Sequence, residues 1–306
     1  MKREHISIKS PCDGLNLSVL SVLPDPRTET VGIVQLIHGM SEHKERYIRF
    51  MEFLSSNGYI CIIHDHRGHG RSVKSTADLG YLYGAGFTGL VQDAEAVTQY
   101  ARFRWPGLPV HLMGHSMGSL VARSYAKRFD SEIDTLTLIG SPSFRHGVRA
   151  ALLLTKFIRF FRGSRHVSLL IDRLAAPRSE DRNSGSAFSW ICSRESVVRA
   201  YEMDALCGFT FTLDGYEALL GLMLDVYSRD GWQTDHPSLP VHFASGGDDV
   251  CLVDVPHFEK SVSFMRDAGY ASVTWKLYEN LRHEILNENG CGEVWSDLLS
   301  FLRGKE

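Results

Sequence analysis

Residues 113–119 read Met113-Gly114-His115-Ser116-Met117-Gly118-Ser119, and this stretch decides the fold that the sequence predicts. It contains the pattern G-x-S-x-G, in which a serine lies on a sharp turn between a strand and a helix. So sharp a turn leaves no room for large side chains two residues before and after the serine. Gly114 and Gly118 lack the Cβ atom that would clash there. The pattern therefore predicts a strand–turn–helix unit that presents Ser116.

The residues on both sides of this turn have the patterns of a strand and a helix. Leu108–Met113 is a short, mostly apolar run that is typical of a buried strand. Apolar residues then recur at helical spacing between Ser119 and Phe129. This context makes Ser116 a candidate functional residue.

Strand and helix patterns alternate along most of the 306 residues, of which 43% are hydrophobic. Strands are predicted at 5–9, 15–22, 31–37, 59–64, 135–139, 240–244 and 272–278, and helices at 45–57, 88–103, 254–268 and 291–303. Such alternation indicates an α/β class with a mostly parallel sheet flanked by helices. The alternation stops between residues 143 and 237. We therefore expect a core formed by 1–142 and 238–306, with 143–237 inserted as a helical cap.

Composition excludes some classes of protein. The net charge of −3 gives no general attraction to nucleic acid, so no nucleic-acid partner is expected. The N-terminal residues lack the apolar stretch of a signal peptide, and no run of 18 apolar residues predicts a membrane span. Six cysteines without a C-x-x-C pair fit free thiols in a reducing compartment. We expect a cytoplasmic protein.

A serine hydroxyl is a weak nucleophile and needs a base nearby. In proteins with this turn, an acid and then a histidine follow the serine along the chain. The strand at 240–244 leads into Asp248 and Asp249, and the strand at 272–278 leads into His283. Open α/β sheets place their sites at these carboxyl ends of strands. His283 is the expected base, and Asp249 is favoured over Asp248 as the acid that orients it.

A developing negative charge on the substrate needs two backbone N–H groups directed at it. One is expected from Met117, which follows the serine, and the other from Met40, in the loop after the strand at 31–37. Gly39 lets this loop turn inward, and His38 is expected to hold the loop through hydrogen bonds.

The run His64-Asp65-His66-Arg67-Gly68-His69 contains residue types that bind metals. No further pair of ligands elsewhere in the sequence has the spacing of a metal site. The run is therefore interpreted as a hydrogen-bonded loop beside the oxyanion strand. Neither a metal nor a cofactor is expected.

Four motifs occur in order: HGMSEHKERY at 38–47, HDHRGHGRS at 64–72, GHSMG at 114–118 and RHEILNE at 282–288. Together they resemble the monoacylglycerol lipase and bacterial lysophospholipase group of the α/β-hydrolase superfamily, over about residues 5–142 and 240–303. The resemblance implies an α/β-hydrolase fold without a cofactor. It implies hydrolysis of a carboxylic ester of a single-chain lipid by Ser116, Asp249 and His283, with Met40 and Met117 as oxyanion donors.

Residues 143–182 are rich in Lys and Arg, with nine of them against three acids. Within this stretch Ala151–Arg162 predicts a helix with a narrow polar strip at Thr155, Lys156, Arg159 and Arg162. Such a helix either covers a pocket as an ordinary lid or docks on an anionic membrane or micelle. A second apolar cluster is expected to line an acyl tunnel or to pack within the lid: Phe209, Phe211, Tyr216, Leu219, Leu220, Leu222 and Met223.

Alternative functions remain open on the same fold. A short-chain carboxylesterase would use the same three residues. A serine aminopeptidase of the proline-releasing type would want acidic residues in the cap to hold an α-amino group, and the early cap is basic. A catalytically silent, ligand-binding hydrolase fold is disfavoured because nucleophile, acid and base are all present.

Overall fold

The computed structural model describes residues 1–175 and 186–304, which contain one eight-stranded sheet. Its strands are β1 (Lys2–Lys9), β2 (Asn16–Leu23), β3 (Gly32–Ile37), β4 (Tyr59–His64), β5 (Val110–His115), β6 (Thr135–Ile139), β7 (Val241–Gly246) and β8 (Val273–Tyr278). The spatial order is β1-β2-β4-β3-β5-β6-β7-β8. β2 pairs with β1 and β4 in antiparallel fashion, whereas β3 to β8 pair in parallel. The prediction of a mostly parallel sheet is confirmed.

Helices cover both faces of the sheet and enclose two hydrophobic cores. The helices are α1 (Ile48–Ser56), α2 (Gly86–Arg104), α3 (Met117–Phe129), α4 (Val148–Arg162), α5 (Leu169–Ala175), α6 (Glu195–Met203), α7 (Leu213–Val226), α8 (Val255–Asp267) and α9 (Cys291–Leu302). One core contains residues of α2, α3, α7 and α8, and the other contains residues of α1 and α9. β3, β4, β5 and β6 are buried along their whole length, as expected for strands covered on both faces.

The prediction of a helix at 45–57 is wrong about where the helix begins. A 3-10 helix spans Lys44–Tyr47, and α1 begins only at Ile48. The Asp65 carboxylate accepts hydrogen bonds from the backbone N–H and from Nζ of Lys44, at 2.9 and 2.6 Å. This buried anchor holds the chain in a tight turn, so the regular helix starts one turn later than the apolar spacing indicates.

The described residues between β6 and β7 contain helices and no strand. α7 packs against α2 and α3 and also against α4, so it joins the inserted segment to the helices on the sheet. The division of the chain at residues 143 and 237 stays a prediction. Of the basic residues counted at 143–182, Arg178 and Arg182 lie outside the described residues, as do Glu180 and Asp181.

Helix α4 turns part of its polar strip toward the protein. Thr155 is buried, and Arg159 donates to the Glu217 carboxylate on α7 at 2.6 Å. As a result, several large apolar side chains of α4 face solvent; Phe157 is 63% and Phe160 is 83% exposed. The neighbouring helix α5 also exposes large apolar side chains. We call this surface the α4–α5 apolar face, formed by Leu153, Phe157, Phe160, Phe161, Leu169, Leu170 and Leu174.

Two general findings bear on the environment of the chain. Across residues 1–175 and 186–304, no helix combines the length and the hydrophobicity that crossing a bilayer would require. All six cysteines are free thiols, and three of them are buried.

Candidate active site

Ser116 lies between the end of β5 and the start of α3, in the sharp turn that the sequence predicts. Its backbone has φ 53° and ψ −123°, a conformation that non-glycine residues adopt only under strain. A hydrogen bond from the Ser116 N–H to the carbonyl of Ile139 on β6, 2.9 Å long, helps to hold the turn in this conformation. A Cβ atom on Gly118 would lie 2.2 Å from the carbonyl oxygen of Ile37, so no larger residue fits there.

His283 follows β8, and its imidazole contacts a carboxylate that follows β7. Nδ1 of His283 lies 2.8 Å from Oδ2 of Asp249, and both side chains are buried. The second oxygen of Asp249 accepts the backbone N–H of Cys251 at 2.8 Å, which fixes the carboxylate in place. Asp248 is exposed to solvent. Of the two candidate acids, Asp249 is therefore the one that can orient the ring of His283.

The surroundings of His283 favour its protonated form. Burial of the ring lowers the pKa of His283, but the Asp249 carboxylate, with the more distant Glu284 and Glu42, outweighs this effect. The net result is a pKa above the ordinary value of a histidine. Such a ring can accept a proton and hold it while the reaction proceeds.

Ser116, His283, Met40 and Met117 all border one cavity of about 670 Å³. Within the described part of the chain, neither the Met40 nor the Met117 N–H donates to a protein acceptor. The loop carrying Met40 passes close to the serine, because a Cβ atom on Gly39 would lie 3.1 Å from that of Ser116. The two predicted oxyanion donors are thus close to Ser116 and unused.

The cavity is largely apolar. Of the residues predicted to bind substrate, Phe209, Leu220 and Met223 line it. Phe211 and Tyr216 lie instead in the hydrophobic core, where Phe211 packs against Tyr216 and His69 with ring centroids 5.7 and 5.2 Å apart. Further apolar contributions to the lining come from Met40, Met117, Leu120, Leu154, Trp190 and Leu219.

The profile of the family described as serine aminopeptidase, S33, matches residues 28–290. The chain belongs to this family. The membership confirms the prediction of a serine hydrolase and agrees with the serine turn at residues 114–118, which lies within the S33 match.

Relatives of this S33 family member carry lipase and esterase names. A monoacylglycerol lipase of Mycolicibacterium smegmatis is 28% identical over 278 residues, which are 90% of each chain. Phospholipase YtpA of Bacillus subtilis is 26% identical, over 89% of this chain and 95% of its own. The structure of a thermostable carboxyl esterase from Bacillus coagulans, in complex with glycerol, superposes with a TM-score of 0.91 at 23% identity over 99% of both chains. The resemblance to the monoacylglycerol lipase and lysophospholipase group and the α/β-hydrolase fold are confirmed.

A buried polar network supports the site of this S33 hydrolase, and the sequence analysis assigned it no role. Glu42 accepts the backbone N–H of Gly39 at 2.6 Å, the Tyr47 hydroxyl at 2.8 Å and the Arg46 guanidinium at 2.7 Å. Arg46 also donates twice to Glu284, the residue after His283, at 2.6 and 2.8 Å. The motifs that contain these residues were visible in the sequence, but their pairing across the fold was not.

The carboxylate of Glu42 is charged in this network. Burial raises the pKa of Glu42, but the contact with His115 and the charge of Arg46 outweigh it, so the pKa lies well below the ordinary value. A charged acceptor makes a stronger hydrogen bond to the Gly39 N–H than a neutral one would. The loop that carries Met40 is therefore held firmly at its start.

Among the residues that the structure describes, metal-ligating types also cluster in the run at 64–69 and around His43, in addition to Asp249, Cys251 and His283. The histidines of the run at 64–69 are fully buried, and burial lowers the pKa of His64 to about 3 and that of His69 to about 4. They are neutral rings beside His38, which accepts the N–H of His66 at 2.9 Å. His38 thus makes the hydrogen bond expected of a residue that holds the loop.

The second place combines His43, Asp204 and Cys207, whose donor atoms lie within 4.8 Å of one another. The two ring nitrogens of His43 contact carboxylates of Glu45 and Asp204 at 2.7 and 2.8 Å. Burial lowers the pKa of His43, but contacts with Cys207, Glu45 and Asp204 raise it to about 11. A ring with a carboxylate at each nitrogen holds two protons, which disfavours its use as a metal ligand.

Proposed function

We propose that this chain hydrolyses carboxylic esters of single-chain acyl lipids, monoacylglycerols or lysophospholipids, through Ser116, His283 and Asp249. The observation that carries the proposal is that Ser116 and His283 border the same apolar cavity, while Nδ1 of His283 lies 2.8 Å from the Asp249 carboxylate behind it. Relatives named as a monoacylglycerol lipase and a phospholipase support the lipid substrate class. No cofactor takes part in this mechanism.

Acylation begins with attack of Ser116 Oγ on the ester carbonyl carbon, while Nε2 of His283 takes the hydroxyl proton. The carbonyl oxygen becomes an oxyanion, which accepts hydrogen bonds from the N–H groups of Met40 and Met117. When the tetrahedral intermediate collapses, the ester C–O bond breaks and His283 returns the proton to the leaving alcohol. Glycerol or a glycerophospho alcohol departs, and the acyl group remains on Ser116.

Deacylation repeats these steps with water as the nucleophile. His283 takes a proton from the water as its oxygen attacks the acyl carbon, and the same two N–H groups bind the oxyanion. Collapse breaks the bond to Ser116 Oγ, which regains its proton from His283. Asp249 stays ionised throughout and stabilises the imidazolium in both halves of the reaction.

The acyl chain would lie along the apolar side of the cavity. Leu154, Phe209, Leu219, Leu220 and Met223 provide this side, and a volume of about 670 Å³ is within the range of ligand-binding cavities. Phe211 and Tyr216 are not part of this proposal, because they lie in the core. A long chain gains free energy with each methylene that the cavity removes from water.

We further propose that the α4–α5 apolar face docks on anionic membranes or micelles. The first half of α4 lines the cavity with Ala150, Ala151 and Leu154, while its second half exposes Phe157 and Phe160. Exposed apolar side chains grouped on one surface are typical of a lipid contact. Exposed arginines on the same two helices would add attraction to anionic lipid: Arg149, Arg162 and Arg173.

Vesicle co-sedimentation tests this docking. The protein should pellet with phosphatidylcholine vesicles that contain phosphatidylglycerol at low salt, and less with pure phosphatidylcholine or at high salt. Absence of binding to the anionic vesicles at low salt would remove the membrane contact from the proposal and leave α4 as an ordinary lid helix. The cytoplasmic location stays a prediction from the sequence.

Peptide hydrolysis is the second candidate, because the family description names an aminopeptidase. A peptidase of this kind must bind the α-ammonium group of its substrate, for which the cavity should offer a carboxylate. Three carboxylates border the cavity: Glu42, Glu284 and Asp172. Arg46 pairs with Glu42 and Glu284 at 2.7 and 2.6 Å, and Asp172 accepts a hydrogen bond from the Tyr216 hydroxyl. Because each of these carboxylates already has a partner in the protein, we favour an ester substrate.

A substrate panel separates the candidates. We expect kcat/KM for p-nitrophenyl esters to rise with acyl length from acetate toward laurate, with turnover of monoacylglycerol or lysophosphatidylcholine and none of proline p-nitroanilide. A maximum at acetate would favour a short-chain esterase, and release of p-nitroaniline would favour the peptidase. A fluorophosphonate probe should label Ser116, as mapped by mass spectrometry; a wild-type protein that is not labelled would support the silent fold.

A further inference from the structure

The loop that carries Met40 is bound to a segment far away in the sequence, residues 201–209, which we call the strap. Ser41 makes three hydrogen bonds with it. Its carbonyl accepts the N–H of Gly208 at 2.9 Å and the hydroxyl of Tyr201 at 2.8 Å. Its own hydroxyl donates to the carbonyl of Phe209 at 2.6 Å. The residue directly after Met40 is therefore bound to the strap through both of its oxygen atoms.

A second link joins the same loop to the strap through charge. Nε2 of His43 lies 2.8 Å from Oδ2 of Asp204, and the His43 side chain is only 8% exposed. Nδ1 of His43 contacts Glu45 at 2.7 Å, so the ring is fixed from both sides. The other oxygen of Asp204 accepts the N–H of Leu206 at 2.9 Å, which orients this carboxylate toward His43.

The strap also reaches the cavity. Tyr201, Gly208 and Phe209 line it, as do Met40 and Ser41. A hydrogen bond from an oxyanion donor depends steeply on its direction and distance. The loop is held on both sides of the Met40 N–H. After Met40, Ser41 makes three hydrogen bonds and His43 one ion pair with the strap. Before Met40, the N–H of Gly39 donates to Glu42.

We propose that the strap positions the Met40 N–H for the transition state, with Asp204 and Ser41 as positioning residues. This inference rests on the proposed ester hydrolysis. The substrate itself contacts the cavity lining and Ser116, whereas Asp204 acts only through His43 and the loop. Displacement of the loop weakens the hydrogen bond to the oxyanion directly, whereas most of the side chains that bind the acyl chain lie on α4 and α7, away from the loop: Leu154, Leu219, Leu220 and Met223.

The test compares Asp204→Asn and Ser41→Ala with a matched control in a neighbouring ion pair. Asp204→Asn removes the charge that faces His43, and Asp204→Glu should restore part of the activity. Glu195→Gln is the control, because Glu195 pairs with Arg199 on the surface of α6 at 2.5 Å. Complete loss of an oxyanion donor lowers kcat by about 10²–10³, so we expect a decrease of about tenfold for Asp204→Asn and less for Ser41→Ala.

The division of the effect between kcat and KM separates positioning from a merely structural role. KM should stay within about twofold of the wild type, and Glu195→Gln should change neither constant. A long-chain trifluoromethyl ketone, which forms an oxyanion adduct with the serine, should lose affinity in parallel with kcat. The corresponding trifluoromethyl alcohol, which cannot form the adduct, should bind as before.

Two results would overturn the inference: an unchanged kcat in both folded variants, or an equal loss of affinity for the ketone and the alcohol. If Asp204→Asn does not fold, Ser41→Ala decides, because it removes one hydroxyl. A wild-type protein without any esterase activity would instead count against the proposed function, so the two failures are distinguishable.

Discussion

The turn around Ser116 and the α4–α5 apolar face differ in how tightly their residues are packed. At the turn, backbone atoms of β3, β5 and α3 approach so closely that a Cβ atom on Gly114 would lie 2.3 Å from the carbonyl oxygen of Gly118. On α4, Phe160 is 83% exposed and packs mainly against its helical neighbour Phe161, with ring centroids 5.1 Å apart. One region is determined by steric exclusion within the protein, whereas the other leaves its apolar side chains exposed to solvent.

The difference shows how the two tasks of such an enzyme impose different demands. Chemistry needs groups held to a fraction of an ångström, which close packing and buried hydrogen bonds provide. Capture of a lipid needs an apolar surface that stays accessible, which a fully packed helix cannot provide. We therefore expect substitutions at the turn to act on every substrate, and substitutions of the exposed phenylalanines of α4 to act only on aggregated ones.

The largest effect is expected at Asp249, the proposed acid of the triad. Asp249→Asn should lower kcat by about 10⁴-fold, because an amide can hold the wrong tautomer of His283 and cannot stabilise the imidazolium. Asp248→Asn, which changes an exposed side chain next to it, should stay within about twofold. Steady-state hydrolysis of a p-nitrophenyl ester measures both. Equal losses in the two variants would contradict the assignment of Asp249.

Packing at the turn is tested by Gly118→Ala. The new Cβ atom would lie 2.2 Å from the Ile37 carbonyl oxygen, so β3 or α3 must shift, which costs about 1–3 kcal/mol of stability. A shift of about 1 Å at the start of the oxyanion loop should lower kcat by about 100-fold. Gly292→Ala in α9 is the matched control, because a Cβ atom there meets nothing within 4 Å. This control should stabilise the protein by about 0.5 kcal/mol in thermal or urea unfolding.

The apolar face is tested by replacing Phe157 and Phe160 with Ser. Loss of two exposed phenyl groups should lower binding to vesicles, and hydrolysis of monoacylglycerol in vesicles should fall by about tenfold. Hydrolysis of dissolved p-nitrophenyl acetate should not change. Phe103→Ser is the control, since Phe103 on α2 is 86% exposed but lies outside the apolar face. An equal effect of Phe103→Ser would show that general hydrophobicity is responsible.

The smallest expected effect is on the pH profile. His283 acts as a base only when neutral, and its pKa is raised, so kcat/KM should fall with decreasing pH around an apparent pKa above 6.5. Asp249→Asn should move this acid limb to lower pH, because the carboxylate is the main group that raises the pKa. An apparent pKa of 6.5 or below for this limb in the wild type would argue against the buried pair of His283 and Asp249 as the titrating group.

The sequence predicted those features that depend on local sterics. Positions 114 and 118 must be small wherever this turn occurs, and the loops that follow β7 and β8 place Asp249 and His283 at the same edge of the sheet. Whether Asp248 or Asp249 contacts the His283 ring depends on the path of the loop after β7. In this loop the N–H of Cys251 donates to the Asp249 carboxylate and holds it in place. Such a contact has no pattern in the sequence.

Other features depended on partners that are remote in the chain. Arg46 and Glu284 are 238 positions apart, so no spacing rule connects them. Phe211 and Tyr216 have the same apolar character as Phe209 and Met223, and hydrophobicity does not distinguish a core from a ligand cavity. The amphipathic pattern of α4 indicated a polar strip but not that Thr155 would face inward.

Arg46 joins two loops at the edge of the cavity. Its guanidinium pairs with Glu42 in the loop that carries Met40 and with Glu284 beside His283, so the two loops share one cross-link. Local opening of either loop must break the same ion pairs. In native-state hydrogen exchange, the amides of residues 39–47 and 282–288 should therefore open as one cooperative unit, and thermal inactivation should remove proton transfer and oxyanion binding together.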